Sequence, residues 1–156
     1  MRMWGDEVML KPKVKIMTRF VKFITFGWAS AITLCPFGIY VKEQLLTNLF
    51  VINHESIHWQ QQLEMIVAGV IILLIAGITL LSLGVFSWWL LLLLGFPFIF
   101  FYLWYLVEWL IRIPINGKKA YISLAMEREG YMNRENLDYL KTRKPYAWLK
   151  YIKKVA

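Results

Sequence analysis

Residues 65–83, MIVAGVIILLIAGITLLSL, form an unbroken stretch without a charged side chain. At about 1.5 Å per residue, a helix of that length spans roughly the ~30 Å hydrocarbon core of a bilayer. After Gly84, Val85, Phe86 and Ser87 comes a second run, Trp88 to Ile111, in which Glu108 is the only charge and Gly95 to Pro97 is a kink site. Two such runs with a short connection predict a transmembrane hairpin that returns the chain to its starting side. Trp88, Trp89, Trp104, Tyr105 and Trp109 mark its rims, where amphipathic aromatics favour the headgroup level.

Composition points the same way. The 156 residues are 59% hydrophobic with one cysteine, Cys35, and a mean hydropathy of +0.51 is too apolar for a soluble domain of this size. Disorder, a disulfide scaffold and a two-domain chain are excluded on these grounds. The expected fold is mainly α and integral to the membrane. It is a single domain over residues 1–156, with transmembrane helices at about 65–83 and 88–111 and a basic helical tail at 112–156.

A third apolar stretch, Phe23 to Val41, is interrupted by Gly27, Pro36 and Gly38, and Ile32-Thr33-Leu34 and Ile39-Tyr40-Val41 are rich in strand formers. Both flanks of the hairpin are basic, and basic loops stay cytoplasmic, which favours an even number of crossings. Residues 23–41 are therefore expected to be an interfacial or re-entrant strand-like element and not a third span. The net charge of +8 suits lipid better than nucleic acid. Lys141 to Lys154 mixes cations with Tyr146, Trp148, Leu149, Tyr151 and Ile152, the composition of an amphipathic helix lying on anionic lipid.

The chemistry is concentrated in Asn53-His54-Glu55-Ser56-Ile57-His58-Trp59-Gln60-Gln61-Gln62, which holds the pattern H-E-x-x-H and both histidines of the chain. On a helix, residues i and i+4 share a face, so His54 and His58 can offer two imidazole nitrogens to one zinc ion at about 2.1 Å each. Glu55, turned by ~100° from His54, is placed to act on a water and not to bind the metal. Thr47 or Asn48 can cap this helix, and with no Gly or Pro from residue 39 to 68 it should feed directly into the first span.

An open zinc site needs a third protein ligand, and a carboxylate must supply it. Glu43 and Glu64 lie near the motif, while Glu108 has Arg112 at i+4 and is expected to pair with it. In the tail, a helix over residues 119–131 would align Glu127 with Ala120, Leu124 and Tyr131, and Glu129 with Ile122, Met126 and Asn133. Both faces are partly apolar, so periodicity leaves Glu127 and Glu129 as alternatives. Tyr131 and Tyr121 are candidate donors to a tetrahedral oxyanion, and Gln61 and Gln62 are either supports for the ligands or helix surface.

The motif and the later stretch Glu127-Arg128-Glu129-Gly130-Tyr131 together resemble the gluzincins, zinc peptidases with two His from H-E-x-x-H and a Glu from a later helix. The likeness is to their small bacterial and integral-membrane branches, whose first motif often continues into Gln and whose later helix reads roughly E-x-E-A-Y or E-x-x-A-D. That resemblance implies Glu127 as the third ligand and Glu55 as the general base. It also implies that Ile32 to Val41 is an edge strand beside the active-site helix, aligning an extended polypeptide substrate, in an enzyme of the bacterial inner membrane. Gly130 departs from it, standing where Ala is usual, as does Tyr131 where the prenyl-protein peptidases have Asp. The resulting expectation is a zinc metallopeptidase whose termini and metal site face the cytoplasm. The alternative is a non-catalytic zinc-containing sensor or partner subunit, which would close the coordination shell with a fourth protein ligand such as Glu129 or Asp138.

Overall fold

The computed structural model describes residues 12–85 and 87–153, so the parts of the basic flanks at 1–11 and 154–156, and Phe86 in the hairpin connection, lie outside the described residues. The described chain is mainly helical with one small sheet. The sheet comprises β1 (Val14–Ile16), β2 (Ala31–Leu34) and β3 (Gly38–Val41) in the order β1-β3-β2, β3 being parallel to β1 and antiparallel to β2. The expected single strand-like element is thus a hairpin, broken at Cys35 to Phe37. Its partner β1 carried no period long enough to be read from sequence. Gly38 is required at the joint, because a Cβ there would lie 2.5 Å from the Lys13 carbonyl oxygen. Between β1 and β2 lies α1 (Arg19–Ile24), whose N-terminus is closed by the Thr18 hydroxyl accepting from Val21 N. No part of residues 23–41 forms a spanning helix.

One helix, α2 (Leu49–Ser82), contains both the motif and the first apolar run. Asn48 caps it, accepting from Phe50 N and Val51 N, one of the two caps expected. Its 34 residues extend about 51 Å, more than a bilayer core is thick, so the motif turns project beyond the apolar ones. The second run begins as a 3-10 stretch, Trp88–Gly95, and becomes α3 (Phe96–Asn116) at the expected Gly95 to Pro97 break, ending five residues beyond the expected limit. Two helical segments, Leu49–Ser82 and Leu90–Lys119, are long and apolar enough to cross a membrane. They cross closely where Gly69 meets Pro97, since a Cβ on Gly69 would lie 2.8 Å from Pro97 Cα.

The tail corrects the sequence reading. The stretch 141–154 is not one helix, and the tail is helical only as a chain of short pieces: 3-10 turns at Gly117–Lys119 and Tyr121–Ser123, α4 (Ala125–Asn133), α5 (Tyr139–Thr142) and a 3-10 turn at Ala147–Tyr151. Pro145 and the left-handed Tyr146 (φ 55°) break any helix over 141–154. Trp148 and Tyr151 fold back with Met65, Phe101, Ala125 and Met126 into a buried cluster. Each large apolar side chain so buried contributes about 1.5–3 kcal/mol. The Arg112 guanidinium secures this return, bonding Glu108 at 3.0 Å, the expected pair, and the Ile152 carbonyl at 2.7 Å. Two rim aromatics also turn inward, Trp104 onto Trp148 (ring centroids 5.4 Å apart) and Tyr105 toward the motif. Trp88 is exposed, and the side chain of Trp89 lies outside the described part.

Candidate metal centre

The H-E-x-x-H turns of α2 face α4. At i and i+4 the two histidines come together as the helix requires, with their Nε2 atoms 3.0 Å apart. Glu127, in the first turn of α4, completes the group: its Oε1 lies 3.2 Å from His58 Nε2 and its Oε2 3.4 Å from His54 Nε2. One ligating atom from each residue falls within 4.8 Å of the others, and this group can hold a metal ion.

The two oxygens of Glu127 have different surroundings. Oε1 accepts from Tyr105 Oη at 2.6 Å and from Tyr121 Oη at 2.8 Å. Oε2 is buried with no hydrogen-bond partner among the described residues, a costly state for a carboxylate oxygen in a protein interior. Burial pushes the Glu127 carboxyl up, but the imidazoles of His58 and His54 outweigh that and hold it well below the usual carboxylate range. Burial and the Glu127 charge together push the Tyr121 phenol up, so it remains a donor.

His58 is oriented from behind. Its Nδ1 lies 2.7 Å from Gln61 Oε1, an atom that can only accept, so Nδ1 donates there and Nε2 is the ring nitrogen turned to the group. The Gln61 amide is fixed in turn by donating to Met126 O (3.1 Å) and Glu129 Oε2 (2.9 Å). Glu129 is fully buried and bonds Tyr139 (2.7 Å) and Arg143, while Arg143 also grips Glu64. Burial works against the Arg143 charge, but its two carboxylates outweigh that and raise its pKa. The alternative ligand Glu129 therefore lies outside the metal group and anchors the residue that orients His58. Glu64 is likewise committed to Arg143.

His54 is set by a close approach. Gly130 of α4 packs so tightly on it that a Cβ would lie 2.6 Å from the imidazole Cε1. Asn53, the preceding residue, donates from its side-chain amide to the Asn133, Arg134 and Asn136 carbonyls at 2.9–3.2 Å, closing the C-terminal end of α4. Glu55 is buried but outside the metal group, and the Thr33 hydroxyl of β2 lies 2.8 Å from its Oε2 and 2.9 Å from its backbone oxygen. Tyr131 is partly exposed, its ring 4.8 Å from that of His54.

Two cavities meet at Glu55. One of about 240 Å³ is lined by β2, Glu55, His58, Glu127 and the aromatics Phe101, Tyr102, Tyr105 and Tyr121. The other, of about 750 Å³, is lined by His54, Glu55, Tyr121, Tyr131 and Arg134. Sequence reasoning missed Thr33, Tyr105 and Arg143, and it saw Gly130 only as a departure. For Tyr105 the i+3 spacing to Glu108 was a usable signal, since it placed both on the inward side of α3. The chain matches no protein-family model, no curated protein and no solved structure.

Proposed function

We propose that the protein is a membrane-embedded zinc metallopeptidase of gluzincin type, with His54, His58 and Glu127 as ligands and Glu55 as general base. The observation that carries this reading is the convergence of the two motif histidines with a carboxylate some seventy residues later, while Glu55 stays buried beside the group and outside it. Separations of 3.0 Å between the two Nε2 atoms and 3.4 Å from His54 Nε2 to Glu127 Oε2 suit an ion with tetrahedral bonds of about 2.0–2.1 Å, whose ligands stand about 3.3–3.4 Å apart. Oε2 of Glu127, which faces His54 Nε2 and accepts no hydrogen bond among the described residues, is the atom such an ion would take.

When bound, zinc supplies Lewis-acid polarisation of a peptide carbonyl and of water. The chain supplies the rest. Thr33 holds one oxygen of Glu55, so the carboxylate is poised to accept a proton from the attacking water and deliver it to the leaving amine. Tyr105 and Tyr121 occupy Oε1 of Glu127 and leave Oε2 for the metal. Tyr131, on the larger cavity with His54 and Glu55, is placed to donate to a developing oxyanion.

A non-catalytic sensor with zinc closed off by protein needs a fourth ligand; the described residues gather three, and the two acids named above for that role are engaged elsewhere, Glu129 with Arg143 and Asp138 with Lys141. The two apolar helices and the basic flanks support a bilayer location with the termini and the site on the cytoplasmic side. The substrate on this reading is an extended polypeptide, as the edge strand β2 beside Glu55 suggests.

The test is Glu55→Gln. The amide fills the same volume but cannot take the proton, so bound zinc should stay at about one per chain while hydrolysis of a denatured reporter in lipid falls about 10²-fold to 10⁴-fold. Equal cleavage by both proteins would remove Glu55 from the mechanism, and zinc binding without cleavage by wild type would favour the sensor.

A further inference from the structure

Alternation along β2 decides which backbone groups can meet a substrate. Lys42 N donates to Ser30 O at 2.9 Å, so Ser30, Ile32 and Leu34 turn their backbone groups toward β3, and Ala31, Thr33 and Cys35 turn theirs outward. Part of that outer edge is already taken. The Gln62 amide nitrogen donates to Thr33 O at 2.8 Å and its oxygen accepts from Cys35 N at 2.8 Å. A carbonyl and the N–H two residues on are the groups one residue of a parallel neighbouring strand would use, and an antiparallel one needs both as well, from two residues. Tyr102 Oη adds a second donor to Thr33 O at 3.3 Å.

Gln62 thus stands where the next residue of a paired strand would be. Upstream, the outward N–H and C=O of Ala31 have no hydrogen-bond partner among the described residues, and Ala29 and Ala31 line both cavities at Glu55. Thr33 bonds Glu55 and Cys35 bonds Gln62, so β2 runs in the same sense as α2, and the closed end is the one nearer the apolar turns.

We infer that a substrate strand pairs with β2 only on the Ala29 to Ala31 side of the catalytic centre, because Gln62 ends the pairing edge at Thr33. Past the cleaved bond the substrate leaves the sheet and lodges an apolar side chain in the 240 Å³ cavity among Phe101, Tyr102, Tyr105 and Tyr121. This deepens the metallopeptidase reading and rests on it.

The probe is a set of fluorescein-labelled copies of one unfolded reporter peptide, each N-methylated at a single backbone position. Their binding to zinc-loaded Glu55→Gln protein in lipid nanodiscs is read by anisotropy, and their cleavage by wild type by mass spectrometry. N-methylation should weaken binding about fivefold to tenfold, the loss of one hydrogen bond, at alternate positions at one end of the bound segment only. Adding Gln62→Ala should extend the sensitive positions past that end. Adding Ala31→Pro removes the outward N–H and keeps the carbonyl, so every peptide of the set should bind about fivefold to tenfold more weakly while zinc is retained, proline being tolerated where a strand N–H faces outward. Sensitivity on both sides of the cut, sensitivity nowhere, or binding indifferent to both substitutions would overturn the inference. One-sided binding without any cleavage by wild type would sink the catalytic reading and leave the docking inference standing.

Discussion

Gly130 sets how near α4 can come to the first histidine, and His54 occupies the space a side chain would need. Gly130→Ala should therefore push the imidazole off its line to Glu127 and weaken zinc binding by roughly tenfold to a hundredfold, measured by competition with a chromogenic chelator, with circular dichroism unchanged. The two acids of α4 should respond oppositely to truncation. Glu127→Ala should lose the metal and keep the fold. Glu129→Ala leaves Arg143 buried against Glu64 alone and removes the anchor of Gln61, so it should cost about 3–5 kcal/mol of stability, seen as a fall in the urea midpoint. Full zinc in Glu127→Ala with loss in Glu129→Ala would exchange their roles. Periodicity could not separate these acids because both are buried. They leave α4 about 200° apart, one toward histidines and one toward an arginine, and the arginine comes from a later loop that no helical period reveals.

At the scale of elements, α2 was the most legible. Its cap, its motif spacing and its uncharged run all belong to one period, and the structure joins them in a single helix. The hairpin partner α3 was legible for the same reason, down to the break at Pro97. The sheet was half legible: β2 and β3 carry strand formers, while β1 has three residues and is fixed by backbone bonds to β3. The tail was misread because its charges were taken to define a surface, whereas Trp148 and Tyr151 are spent on a core that only the folded α2–α3 junction provides. Where those two helices cross, Gly69→Val should force the Pro97 backbone away. Overpacking of this kind costs about 1–3 kcal/mol, and the thermal midpoint in detergent should fall accordingly, whereas Gly77→Val, facing open space, should leave it unchanged.

For the whole molecule, the proposed membrane location together with the basic flanks predicts one arrangement in the bilayer. Single cysteines in a Cys35→Ser background should bear this out with an impermeant maleimide applied to sealed vesicles. Probes at Lys13 and Lys150 should react from the same side and a probe at Gly84 from the other; reaction of Lys13 on the side of Gly84 would require a third crossing. Within the fold, Arg143 joins α2, through Glu64, to α4, through Glu129. Chain order gives that pairing a temporal meaning. During synthesis, both apolar helices and all three ligand residues leave the ribosome before Arg143 does. Until it arrives, Glu129 lacks the cation that neutralises it, and Gln61 has the Met126 carbonyl as its settled acceptor. The support behind His58 is therefore completed by one of the later residues to be made, so chain order sets when the His54, His58 and Glu127 group takes its final geometry.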